Sequence, residues 1–511
     1  MQTASAVFLG IDVGTSACKV VAVDGTGRTL GVASRAYPLS SPQHGWSEQD
    51  PQDWWVAAGE GVREVCSMLA GRSTDVKGIG LSGQMHGLVA LDASGAVIRP
   101  AILWNDQRCE RQCEELTARI GGLGVVVGQT RNRMLTGFTA GKIQWVKENE
   151  PENFDRFHRV MNPKDYLRWR MNGEFITDVS DGSGTGLFNV ASREWSEPMV
   201  KSVGLTLDML PRVVESTAST GQLFLQVAQD WGLGAGIEVF AGGGDAVIQT
   251  LSMGILRPGD IGVTVGTAGI VAAASTFCPE NDEANVQVSC YNVPDRWHVM
   301  GVSLSAAGSL QWLRETLNGL AGGGEVTFEA LMEAAAAAPP GCEGLMFLPY
   351  LNGERSPHYA PSSSAAWVGL TRVHGLGHLV RSVVEGVLLN MRQILDSFAV
   401  RGIPCDRIIA SGGATRDDLW LQTMADIFGQ DVITLQNSSE GAAFGAAVVA
   451  GVGSGQWASF EEFFGHLPAQ NEYHPDPERV AVYSRVFEGH RKLFDHLAPV
   501  YEVVRMARAG D

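Results

Sequence analysis

Basic residues are scarce: 38 lysines and arginines stand against 56 aspartates and glutamates, a formal charge of −18 over 511 residues. That excludes nucleic acid as a main partner, because no cationic surplus exists to displace counterions from a phosphate backbone. The same field repels nucleotides at long range, so any phosphate site has to be built locally, from backbone amides and a metal. Cysteine is sparse too, with eight spread between positions 18 and 405. No CxxC pair occurs, and Cys109 and Cys113 have neither a second pair nor nearby histidines, so zinc lacks a ligand set. The thiols read as free and held in a reducing cytosol. Long apolar runs are missing as well. Segments 261–279 and 441–460 are uncharged, but Gly, Thr and Ser interrupt both, and they read as buried core rather than membrane spans. No basic stretch precedes the apolar run 6–11, and Asp12 interrupts it, so no signal peptide is expected and the protein is read as cytoplasmic.

What the chain does contain is ample apolar material, 45% hydrophobic against 18% charged residues, enough for two or three sizeable cores. Its 62 glycines imply many tight turns and close backbone approaches. Segments 6–11, 18–23 and 29–36 read as a β-meander, with turns at Gly14-Thr15-Ser16 and at Asp24-Gly25-Thr26-Gly27. Strands are expected again over 76–81 and 87–91. An echo then appears. Ile11-Asp12-Val13-Gly14-Thr15-Ser16 recurs in outline as Val263-Thr264-Val265-Gly266-Thr267-Ala268, about half the chain later. Two halves that each open with a strand, a Gly-Thr loop and a strand point to a duplicated fold. In the second half, apolar residues from Leu379 to Phe398 recur at helical spacing, 407–410 reads as a strand and 417–428 as a helix. Alternation of this kind is α/β architecture. No linker separates the halves, and the boundary is placed near Pro258-Gly259, giving domains 1–257 and 258–511.

Three loops carry candidate chemistry. Asp12 with Gly14-Thr15-Ser16 can hold a metal through water and offer amides and hydroxyls to phosphate, and Gly266-Thr267 supplies a second such loop. An Asx turn is the ordinary alternative for the first. Ser411-Gly412-Gly413-Ala414 ends a strand with backbone bare enough for a flat ring to lie against it. Ala241-Gly242-Gly243-Gly244-Asp245 sets a carboxylate after three glycines, where it can take the proton of an alcohol nucleophile or cap a helix. Gln84-Met85-His86-Gly87 and Trp104-Asn105-Asp106-Gln107-Arg108 add polar groups beside aromatic platforms, as hydroxyl-rich ligands require. Neither a Walker motif nor a G-x-G-x-x-G after the first strand is present, which excludes the two common nucleotide folds.

These features together resemble the FGGY family of carbohydrate kinases, within the actin/Hsp70/sugar-kinase superfamily. Gly137-Phe138-Thr139-Ala140-Gly141-Lys142-Ile143-Gln144-Trp145-Val146 is similar to the family's first signature, and 365–385, with Gly369-Leu370 and His378-Leu379, to its second. Further family phrasing stands in Trp46-Ser47-Glu48-Gln49-Asp50-Pro51, in Pro100-Ala101-Ile102-Leu103-Trp104, in Pro163-Lys164-Asp165-Tyr166-Leu167 and in the run from Phe347 to Gly353-Glu354-Arg355. The resemblance spans residues 9 to about 453. It implies two RNase H-like domains with an interdomain cleft, ATP and Mg²⁺ as cofactors, and a small ketose, D-xylulose before others, as acceptor. Another ketose, a polyol or a sugar acid stays open, and a homodimer is compatible with the family.

By analogy Asp245 is the base, and Met85, His86, Trp104 and Asp106 face the sugar. Gly14, Thr15, Ser16 and Lys19 face the phosphates, with Gly266 and Thr267 opposite, Asp12 toward Mg²⁺, and Gly412, Gly413 and Arg416 by the adenosine. Two departures stand out: Ala246 replaces the family's Asn after the base, and Gln107 replaces a usual Gly. An actin- or Hsp70-like ATPase and a sugar-binding regulator are the rival readings of the same loops.

Overall fold

The Gly-Thr echo sits at the start of two matching sheets. In the computed structural model, which describes residues 6–319, 325–435, 441–465 and 469–509, each half builds a seven-stranded sheet. The first carries an antiparallel meander, Val7–Val13, Ala17–Asp24 and Thr29–Ala36, whose opening strand also pairs in parallel with Val76–Gly83. A fifth strand, Glu238–Phe240, continues in parallel, and Ser219–Gln222 closes the edge antiparallel. The second repeats this order. Gly259–Val265, Gly269–Ser275 and Trp297–Ser303 form the meander, Cys405–Ser411 and Val432–Leu435 follow in parallel, and Ala469–Tyr473 closes antiparallel. Six strands in the same order in both halves establish the duplication that a six-residue echo suggested, and these are the two RNase H-like domains the resemblance implies; the seventh differs, Gly243–Gly244 beside Val76–Gly83 in the first sheet and Gln287–Cys290 beside Trp297–Ser303 in the second.

Strand faces follow the period-2 rule with both sides covered. Val20 and Ala22 point into the first half's own core, while Val21 and Val23 point the other way, into a core shared between the halves. That shared core is organised by two helices, Asp245–Ser252 and Gly441–Gly453, which pack on each other. Gly441–Gly453 belongs to the second half by sequence yet lies against Val7–Val13 and Val76–Gly83 of the first. Its Ala-rich face allows that, and so do two strand glycines. A Cβ at Gly10 would stand 1.8 Å from the Ala443 carbonyl, and one at Gly80 equally close to that of Ala446. Among the described residues no helix is long and apolar enough to cross a membrane; 261–275 is two strands joined by a turn, and 441–453 is buried helix. All eight cysteines are free.

Since helix and sheet meet backbone to backbone at Gly10, Gly10→Ala should cost about 1–3 kcal/mol through overpacking. Gly124→Ala, in open space on an exposed helix, should be neutral or slightly stabilising. Urea unfolding of the two variants checks this, and equal effects would mean the helix can back away from the sheet.

Candidate active site

Parallel pairing brings three strand ends abreast: Asp12 is registered with Ser82, and Ser82 with Gly243. Loops after the carboxyl ends of such strands are where α/β sheets hold ligands. Here they open into a cavity of about 730 Å³ whose wall comes from both halves, with Asp12, His86 and Asp245 from the first and Ala268, Met300 and Arg355 from the second.

Asp245 is the first residue of its helix, with Gly244 as the cap, so the alternative of a capping aspartate does not hold. Each preceding glycine has its own reason. Gly242 adopts φ +73°, and a Cβ there would meet the Leu81 carbonyl at 1.8 Å. At Gly243 a Cβ would collide with Asn292 and Ser180, and at Gly244 with Met85. The backbone before the base is therefore clamped. Ser180 Oγ accepts the Gly244 N–H at 3.0 Å, donates its proton to Asp178, and receives Asn292 Nδ2 from the second half at 3.3 Å. Beneath lies a fully buried ion cluster. Lys164 Nζ reaches Asp165 at 2.6 Å, Asp178 at 3.1 Å and Asp181 at 3.3 Å, while Arg168 donates to the Ala241 carbonyl at 3.0 Å. Three carboxylates against two cations leave one negative charge in excess, and burial pushes Asp181 well above the usual carboxylate range.

Two carboxylates face the cavity. Burial, followed by the charge of Asp12, raises Asp245 to about 7. Burial raises Asp12 to about 6, against the lowering pull of Ser82 and Lys19. Asp12 Oδ1 is buried and has no hydrogen-bond partner. An orphaned carboxylate oxygen beside a second acid is a donor set that suits a hard divalent cation such as Mg²⁺.

His86 sits at φ +72°, a strained position for a residue with a side chain. Its carbonyl is held by Lys142 Nζ at 2.8 Å and Thr139 Oγ1 at 3.1 Å, and its ring packs on Phe138. Burial, with the nearby Lys142 charge, depresses it to about 3, so the ring is neutral at physiological pH. Nδ1 lies 2.6 Å from the Gly184 carbonyl, which can only accept. The proton is therefore on Nδ1, and Nε2 is a lone-pair acceptor.

Of the residues singled out from sequence, Asp12, Lys19, Met85, His86, Trp104 and Asp245 share the cavity wall, joined by Gln107 and Ala246. Trp104 spends its indole N–H on Thr15 Oγ1 at 2.9 Å and so buttresses the first Gly-Thr loop. Asp106, expected to face the sugar, is corrected: it is buried behind the wall, doubly bonded by Arg108 Nε and accepting the Ser47 N–H at 2.6 Å. Gly14, Thr15, Ser16, Gly266 and Thr267 flank the wall residues Asp12 and Ala268 without being part of it. Gly412 packs against Val265, just before the second Gly-Thr turn, and Gly413 and Arg416 follow it outside the cavity. Ser180, Asn292, Lys164 and Arg168 were not read as site residues. Two charges and an arginine on an otherwise apolar stretch, Pro163-Lys164-Asp165-Tyr166-Leu167-Arg168, were the available signal.

Comparison with known proteins gives a consistent picture. Models of the N- and C-terminal domains of the FGGY family of carbohydrate kinases match residues 7–252 and 262–454. The chain is 38% identical to a xylulose kinase of Escherichia coli (strain K12), covering 97% of this chain and 100% of that protein. It is 36% identical to a xylulose kinase of Bacillus subtilis (strain 168), covering 96% of each. A crystal structure of a xylulose kinase from Brucella ovis superposes with a TM-score of 0.91 at 32% identity, covering 97% of this chain and 100% of that one.

A carboxyl whose pKa rises on folding binds its proton more tightly in the folded state, so its stabilising share is complete below 3.8 and is lost as pH climbs through about 7. Asp245→Asn removes that loss. The ligand-free variant should melt above wild type at pH 8, with the gap closing toward pH 4. A gap independent of pH would show that Asp245 is not held in this way.

Proposed function

We infer the reaction from one premise: this chain belongs to the FGGY family of carbohydrate kinases. It is an ATP-dependent carbohydrate kinase, and its acceptor is D-xylulose, which it converts at the terminal hydroxyl to D-xylulose 5-phosphate. The observation that carries the reading is Asp245, a carboxyl raised to about 7 on the wall of an interdomain cavity, beside a neutral histidine whose free nitrogen accepts hydrogen bonds. The similarity to xylulose kinases over nearly the whole chain supports the choice of sugar.

In this reading Asp245 accepts the proton of the attacking hydroxyl as its oxygen bonds the γ-phosphorus of ATP and the bond from that phosphorus to the bridging oxygen breaks, releasing ADP. Its raised proton affinity makes it a stronger base than an ordinary carboxylate, while enough stays ionised near neutrality to act. His86 Nε2 accepts a sugar hydroxyl, and Met85 gives the sugar an apolar floor. Asp12 would hold Mg²⁺, through water, with its orphaned Oδ1; bound there, the ion supplies charge neutralisation for the phosphates. Lys19 and the amides of the Gly14 and Gly266 turns face the same groups, and Gly412, Gly413 and Arg416 serve the adenosine.

ADP release measured across ketoses, polyols and sugar acids tests the substrate. Asp245→Asn should lower kcat about 10²–10⁴-fold, the usual worth of a placed base, with little change in sugar KM; near-normal turnover would remove Asp245 from that role. Ala246 presents no amide where the family has one, so Ala246→Asn should lower KM for D-xylulose a few-fold. If that variant instead harms activity on the best sugar of the panel, and that sugar is not D-xylulose, the sugar assignment falls and the kinase assignment stands.

A further inference from the structure

Arg355 reaches the cavity wall from the second half, yet among the described residues its guanidinium makes no hydrogen bond and no ion pair. Its neighbour Glu354 acts on it through charge alone and makes no bond to the guanidinium. That carboxylate is saturated by Ser303 Oγ at 2.9 Å, Asn390 Nδ2 at 2.8 Å, and the backbone N–H groups of Leu304 at 3.0 Å and Arg355 itself at 2.8 Å. Tyr359, also on the wall, is covered by the Arg133 guanidinium 4.0 Å from its ring centroid. Burial lowers the proton affinity of Arg355 by more than the nearby Tyr359 and Glu354 restore it. A partly buried charge left unpaired is costly, and folded proteins keep one where a ligand completes it.

The two cations on the wall divide the cavity between them. Lys19 acts on Asp12, at the end assigned to phosphates and metal. Arg355 acts on His86, at the end assigned to the sugar. His86 presents a lone pair and Arg355 presents only donors, so together they match an oxygen-rich ligand that both donates and accepts. Alanine at 246 leaves the first half one amide short, which places more of the recognition on the opposite wall.

We propose that Arg355 is a substrate-binding residue that donates hydrogen bonds to oxygen atoms of the acceptor sugar, so that the bound sugar joins the second half to the first. This rests on the kinase reading above and adds to it a contact made from across the cleft. The ligand class is a small polyhydroxylated carbonyl compound, and the same fork would hold the carboxylate of a sugar acid.

Arg355→Met tests it with four readings: KM for D-xylulose, KM for ATP, the melting temperature without ligand, and the rise in that temperature on adding D-xylulose. The sugar KM should rise about ten- to hundredfold, the usual worth of charge-assisted hydrogen bonds, and ATP KM should stay within twofold. The ligand-free melting temperature should equal or exceed wild type, because an unpaired charge has gone, and the D-xylulose-induced rise should vanish. Arg355→Lys keeps the charge but loses the fork; it should raise sugar KM a few-fold, and it supplies the answer if the methionine variant does not fold. An unchanged sugar KM in both soluble variants, a rise in ATP KM instead, or a loss of ligand-free stability that accounts for the kinetic change would each overturn the proposal. The kinase reading is decided separately by Asp245→Asn. If wild type does not use D-xylulose, the same constants for the best acceptor of the panel apply, and their loss in Arg355→Met keeps Arg355 while removing only D-xylulose.

Discussion

Two carboxylates share one poorly solvated cleft, and the rest of the structure is arranged around that. Asp12 and Asp245 each hold their protons more tightly than in water, partly because of burial and, for Asp245, because of each other. Folding alone disfavours such a pair. What keeps it is over-determination from below. The backbone before Asp245 is pinned by Ser180, Asn292 and the Lys164–Arg168 ion cluster, in contacts that three successive glycines alone can admit. A buried network of that kind is weak evidence for stability, since desolvation cancels much of its attraction. Its value here is geometric. It fixes where the acid must be, whatever the cost to the empty protein.

Duplication explains the scaffold but not the chemistry. In the first half Asp12 is registered with Ser82, and in the second Thr264 is registered with Ser411, on equivalent strands of the two sheets. The serines correspond; the acid has a neutral hydroxyl as its counterpart. Two three-residue turns, Gly14-Thr15-Ser16 and Gly266-Thr267-Ala268, follow these positions. One loop thus carries a carboxylate suited to a metal, and the other offers amides and a hydroxyl without adding negative charge. In a protein with a formal charge of −18, a second acid at that position would oppose phosphate binding directly.

Much of this was legible from residues alone, because it depends on local pattern. The first meander, the strand–Gly-Thr loop–strand that opens the second half, the strands near 76 and 407, the helix around 379–398 and the loops carrying Asp12, Asp245 and His86 follow from period-2 or helical spacing punctuated by glycine. What stayed hidden depends on partners far apart in sequence. Asp106 reads as a sugar ligand because it follows Trp104, and only the fold reveals that Arg108 and Ser47 consume it. Ser180 reads as an unremarkable serine until Gly244 and Asn292, 64 and 112 residues away, close on it. The helix Gly441–Gly453 reads as second-half core, and the chain crosses it over to the first sheet because Gly10 and Gly80 have no side chains to stop it.

That crossing has a consequence for function. The shared core ties the halves together and also floors the cavity between them, since Met85, Val247 and Ala442 belong to both. Each half lines the cavity with groups whose partners are incomplete: an orphaned oxygen on Asp12, a free lone pair on His86, an unpaired guanidinium on Arg355. Groups of this kind are the ones a ligand can complete. A ligand that touches both walls favours any arrangement that lets it reach both, and only such a difference in affinity can shift a population between arrangements. The second half contributes the Arg355 guanidinium and the first the Asp245 carboxyl and the His86 acceptor nitrogen, so neither half alone forms the cavity wall. Water is too small to touch two such walls at once, so it cannot supply the binding energy that a larger ligand spanning both can.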